Sequence, residues 1–230
     1  MALNLSNFTL PQVKPLPIFL LLDGSGSMRQ NQKIETLNAV VREMLESLAE
    51  DTEAYEHEYL ITAVVFSGEQ AHVVMQAMDA CEAGAKWQNI EGRGMTPLGS
   101  ALTVVKQMLE DRTIIPSKSY RPTIILVSDG IPTDEWQQPL EALVTEGRSS
   151  KCDRMAVVIG GQDDANEKVL ELFIGDAPHH VEHAVNADQL KDFFQRATMT
   201  VMTRSRSANP NQLVPLTAPS GEIDDDITFF

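Results

Sequence analysis

The sequence predicts an α/β fold: a three-layer αβα sandwich whose central sheet is mainly parallel, with one antiparallel edge strand. Two observations carry the prediction. Short, largely apolar runs at 16–22, 122–128 and 155–159 have the pattern of strands covered on both faces. They alternate with segments whose apolar residues recur at the 3.6-residue period of an amphipathic helix. Strands and helices in alternation imply crossover connections, and so a parallel sheet wrapped on both sides.

The elements follow in order. The run from Leu16 to Leu22 is stopped by Asp23-Gly24-Ser25-Gly26, so it reads as a buried strand and the turn that leaves it. Apolar residues at 34, 37, 40, 41, 44, 45 and 48 then mark one face of a helix. Residues 59–67 read as a second strand. Residues 71–75 follow after only Gly68-Glu69-Gln70, close enough for an antiparallel hairpin at a sheet edge. In Gly92-Arg93-Gly94-Met95-Thr96-Pro97 the threonine is placed to cap a helix starting at the proline and burying Leu98, Ala101, Leu102, Val105, Met108 and Leu109. The strand 122–128 is broken by Asp129-Gly130. A helix over 135–146, a core strand at 155–159, a short helix at 167–174, a weaker edge strand at 180–185 and a last helix marked by Leu190, Phe193, Phe194, Ala197 and Val201 complete the pattern. The organisation is therefore an N-terminal extension (1–14), one domain (15–206) and a flexible acidic and aromatic tail (207–230).

Composition narrows the function. Eighteen Lys and Arg against thirty-three Asp and Glu give a formal charge of −15, the wrong sign for binding nucleic acid or an anionic membrane by counterion release. A hydrophobic fraction of 43% with 22% charged residues is that of an ordinary globular chain. No apolar run approaches the roughly 20 residues of a membrane helix. The first seventeen residues show no basic residue before Lys14 and no apolar stretch of the kind a secretory signal needs. Cys81 and Cys152 belong to no CxxC, so two reduced thiols and a cytoplasmic location are expected. His179, His180 and His183 are expected at the surface or an edge, because alternation along a strand turns His180 away from its neighbours.

In an open parallel sheet, ligands bind at the carboxyl ends of the strands. Three polar loops arrive there: Asp23-Gly24-Ser25-Gly26-Ser27, the loop carrying Thr96, and Ser128-Asp129-Gly130-Ile131-Pro132-Thr133-Asp134. Their carboxylates and hydroxyls make a hard, all-oxygen donor set, suited to Mg²⁺ or Mn²⁺ and unsuited to a thiophilic metal.

The three motifs, D-x-S-x-S after the first strand, a Thr ahead of a later helix, and S-D-G after the fourth strand, resemble those of the von Willebrand factor A domain over residues 15–203. That resemblance implies a Rossmann-like sandwich and a metal-ion-dependent adhesion site. Ser25, Ser27 and Thr96 would touch the metal directly, Asp23 and Asp129 directly or through water, and Asp134 would stand behind them. The segments GRGMTPLG and SDGIPTD are most similar to intracellular bacterial TerY-like proteins of tellurium resistance and stress. This implies a setting with a serine/threonine kinase and a PP2C-type phosphatase. The function expected is a metal-dependent protein-binding adaptor, without catalysis, whose ion is completed by an acidic residue of a protein partner.

Two alternatives stay open. Intracellular relatives also serve as adaptors of AAA ATPase machines. An aspartate-based phosphotransfer enzyme would share the layout, but it needs a second acid two positions after Asp23, where Ser25 stands. Neither G-x-S-x-G nor G-x-x-x-x-G-K-[ST] is present. In the tail, Asp224, Asp225 and Asp226 beside Phe229 and Phe230 have the composition of a short docking segment.

Overall fold

Every residue of Leu16–Asp23, strand β1, is buried, because the strand lies in the middle of the sheet under helices on both faces. The computed structural model describes residues 13–160 and 164–216, apart from the side chains of 164–166. After β1 come α1 (Lys33–Tyr55), β2 (Tyr59–Ser67), β3 (Gln70–Asp79), α2 (Ala80–Lys86), α3 (Leu98–Glu110) and β4 (Thr123–Ser128). Then follow α4 (Gln137–Thr145), β5 (Asp153–Ile159), α5 (Asp164–Ile174), β6 (Val181–Ala184) and α6 (Ala187–Arg206). The strand order is β3-β2-β1-β4-β5-β6, parallel throughout except for β2 against β3. This is the predicted three-layer α/β architecture with one antiparallel pair at an edge.

Alternation along β1 divides the interior into two cores. Ile18, Leu20 and Leu22 face α1, α2 and α6, whereas Phe19 and Leu21 face α3, α4 and α5. The chain leaves β1 toward β2 and β3 on one side and returns through β4 on the other. The carboxyl ends of β1 and β4 therefore flank the point where the strand order reverses, which is where such sheets hold ligands.

Several elements depart from the sequence reading. Helix α1 runs to Tyr55, beyond its apolar stripe, and closes through the Glu56 N–H on the Thr52 carbonyl. Strand β3 is twice the expected length, and α2 was not anticipated. Its sequence, ACEAGAK, buries only Ala80 and Ala83, too little to show a period. Thr96 is not the cap of α3. Asp134 from the loop after β4 accepts the Gly99 and Ser100 N–H groups instead, at 2.9 and 2.8 Å.

At the opposite end of the sheet, Arg204 of α6 is fully buried. It donates to Asp153 (2.7 Å) and Thr123 (2.9 Å) at the first residues of β5 and β4, and to the Pro210 carbonyl (3.1 Å). Asp153 also takes His179 at 2.7 Å, which makes this histidine a buried structural group and not the expected surface residue. The same knot organises the start of the tail: the Arg121 N–H donates to Asn211, and Leu216 packs against the core. No described helix is long and apolar enough to cross a membrane. Cys81 and Cys152 are both free.

Candidate metal centre

Asp23 ends β1 fully buried, held by three donors that come from two loops. The Ser25 N–H donates to Oδ1 (2.8 Å), while the Ser128 hydroxyl (2.8 Å) and the Asp129 N–H (3.3 Å) donate to Oδ2. Burial outweighs these bonds, and with Asp129 nearby it pushes the Asp23 carboxyl up to about 6. The next turn runs through Gly26–Gln32, and its serines do not cap it. Ser25 and Ser27 hydroxyls lie 2.9 Å apart, and Ser27 donates to Asp129 Oδ1 at 2.6 Å. Asp23, Ser25, Ser27 and Asp129 thus form one hydrogen-bonded oxygen cluster.

Thr96 is brought in by backbone. Gly24 donates to Phe66, Arg93 to Gly24, Gly26 to Gly94 and Gly68 to Arg93, all at 2.7 to 3.1 Å, so the 92–96 loop lies flat against the first loop. Close approach explains Gly94, whose φ is +66° and where a Cβ would stand 2.5 Å from the Gly68 Cα. On its other side Thr96 pairs with Thr133: its N–H donates to the Thr133 hydroxyl and its carbonyl accepts the Thr133 N–H, both at 3.0 Å. The Thr96 and Ser27 hydroxyls then converge on Gly130, where a Cβ would stand 3.8 and 3.9 Å from them.

The structure therefore assembles all five predicted ligand residues, Asp23, Ser25, Ser27, Thr96 and Asp129, and sets Asp134 behind Thr96 as the clamp on the start of α3. The residues suit a divalent cation. All donors are oxygen, two groups are carboxylates, and the Thr96 and Ser27 hydroxyls both face the open space over Gly130, where even a Cβ would touch them. Among the described residues no group of three or more His, Cys, Asp and Glu gathers to offer a softer site. Asp224, Asp225, Asp226, Phe229 and Phe230 lie outside the described residues.

Sequence reasoning missed Lys33. The first residue of α1 donates its ammonium to Asp129 Oδ2 at 2.7 Å. No motif marks a lysine that follows Asp23 by ten positions. Ser128 and Thr133 stood inside the third loop, yet their tasks of holding Asp23 and docking Thr96 depend on contacts across the fold. The rim is of mixed character: Met95 and Ile131, each beside a predicted ligand loop, are 56% and 48% exposed.

Comparison with known proteins agrees with this fold. The family model for the von Willebrand factor type A domain matches residues 18–131. A search of curated proteins found no match. Among solved structures, the von Willebrand factor type A protein of Catenulispora acidiphila is 19% identical, with a TM-score of 0.64 over 82% of this chain and 43% of that one. The vWF domain of the type V pili tip protein Mfa5 from Porphyromonas gingivalis is 13% identical, with a TM-score of 0.64 over 86% of this chain and 98% of its own. Proximal thread matrix protein 1 from the mussel byssus, solved with a zinc-occupied MIDAS motif, is 15% identical, with a TM-score of 0.63 over 83% of this chain and 48% of its own. At these identities the likeness is one of fold. The chain spans less than half the length of the mussel and Catenulispora proteins.

Proposed function

The chain carries a von Willebrand factor type A domain, and from that premise we propose that it is a metal-dependent protein-binding adaptor and not an enzyme. The observation that carries the reading is the oxygen cluster of Asp23, Ser25, Ser27 and Asp129 with Thr96 facing it across Gly130. A divalent cation held there, Mg²⁺ in this reading because the donors are hard oxygens, supplies a coordination position that a partner's Asp or Glu completes. The zinc-occupied motif of the mussel protein supports a divalent ion at such a site.

Each residue has a task. Asp23 and Asp129 give the charge, and the three hydroxyls add neutral oxygen ligands. Asp134 fixes the start of α3 and so the approach of Thr96. Met95 and Ile131 offer a partner apolar contact beside the carboxylate it presents, and Arg29 and Arg93 stand exposed on the same rim. The partner is therefore an acidic protein segment with apolar neighbours. The stress-signalling setting implied by the TerY-like motifs, cytoplasmic and with a serine/threonine kinase and a PP2C-type phosphatase, gives the first candidates to try.

Calorimetric titration with Mg²⁺, Mn²⁺ and Zn²⁺ tests the site, and capture of the purified candidates in Mg²⁺ or EDTA tests the docking. Wild-type protein should bind one ion and lose its partner in EDTA. Equal titrations from wild type and Asp23→Ala/Asp129→Ala would end this reading.

A further inference from the structure

Asp129 uses its two oxygens differently. Oδ1 accepts the Ser27 hydroxyl on the side of the oxygen cluster, and Oδ2 accepts the Lys33 ammonium at 2.7 Å on the other. The Asp129 side chain has no exposed surface and that of Lys33 only 16%, so the pair is shielded from bulk solvent and salt. The lysine is held in place by its backbone and its neighbour. Asn31 and Gln32 are both left-handed, with φ of 53° and 58°, and turn the chain so that α1 begins with Lys33 beside the cluster. Gly160, at φ +106°, keeps the space open, since a Cβ there would stand 3.2 Å from Lys33 Nζ.

We propose that Lys33 sets the charge of the metal site: by neutralising Asp129 from behind, it weakens uptake of a divalent cation and leaves the loaded site positive toward an anionic partner. The inference rests on the metal-dependent docking proposed above. Asp23 and Asp129 alone would cancel the charge of a divalent ion. With the ammonium against Asp129, about one positive charge survives for the incoming carboxylate. Because Lys33 reaches Oδ2 while Ser27 reaches Oδ1, it acts without occupying the side of Asp129 that faces the other ligands. It is a positioning and charge-setting residue, not a ligand.

One substitution should therefore move two affinities in opposite directions, which loss of packing alone would not do. The test uses the full chain with Mn²⁺ as the metal probe, followed by electron paramagnetic resonance, and acetate as the carboxylate probe, followed by water-proton relaxation of the Mn²⁺-loaded protein. Lys33→Gln and Lys33→Met should bind Mn²⁺ roughly tenfold more tightly than wild type and acetate several-fold more weakly. Lys33→Arg, which keeps the charge, should stay near wild type. Circular dichroism identifies the folded variants to be compared. Folded Lys33→Gln and Lys33→Met that bind Mn²⁺ no more tightly, or that move both affinities in the same direction, would overturn the proposal. If wild type bound no Mn²⁺ at all, the docking reading itself would fall, and this inference with it.

Discussion

The buried carboxyl of Asp23 makes the domain's stability depend on pH in a direction opposite to that of a salt-bridged acid. Its ordinary value of 3.8 is raised to about 6 in the fold, first by burial and then by Asp129. The folded state therefore favours the protonated form. In the absence of metal, stability is highest below the unfolded value, falls as pH rises from 3.8 toward 6, and carries the full cost above it. A shift of roughly two units corresponds to about 3 kcal/mol in total, of which about 1.4 kcal/mol is lost between about pH 5 and about pH 7.5. Asp23→Asn removes the titration while keeping one carbonyl oxygen for the Ser25 N–H. The assay is urea denaturation of both proteins at those two pH values in EDTA. The wild-type stability should drop relative to the variant by about 1 kcal/mol or more on going to the higher pH. Adding Mg²⁺ should recover the loss in wild type alone, because the ion replaces the proton, and its affinity should weaken as pH falls below about 6. If wild type and Asp23→Asn share the same pH dependence in EDTA, the buried, high-value carboxyl is refuted.

Thr96→Ala should leave circular dichroism almost unchanged, since its main-chain bonds to Thr133 persist, yet remove most of the Mg²⁺ heat in calorimetry. Asp134→Ala strips the Gly99 and Ser100 N–H groups of their acceptor and should cost about 1–2 kcal/mol in thermal denaturation, with weaker metal binding. Gly99→Ala places a Cβ 2.2 Å from the Glu135 carbonyl oxygen, a clash between backbones, and should lower stability by about 1–3 kcal/mol in the same assay. Arg204→Ala leaves Asp153 buried without its cation and should cost about 3–5 kcal/mol by urea denaturation, without any direct effect on the metal end of the sheet.

What the sequence by itself determined is what local pattern can encode. The continuous apolar run of β1 and the stripe of α1 from Ile34 to Leu48 each report the surface they bury, so strand, helix and layer order were legible without tertiary information. So was the place of the candidate site, because Asp23, Thr96 and Asp129 each stand where a loop meets a periodic element. Where the pattern is weak, as in the alanine-rich α2, the reading failed. Only the tertiary structure decided how the five side chains meet and what governs them. Asp134 took the capping task from Thr96 because it reaches the Gly99 and Ser100 N–H groups across 34 to 35 residues of chain. His179 became structural because Asp153 and Arg204 converge behind it. Lys33 became part of the site because Asp129, 96 positions away, lies within hydrogen-bond reach of its ammonium. Hydrogen bonds and ion pairs act over a few ångströms of space whatever the separation along the chain, and sequence order carries no trace of that distance until the sheet has formed.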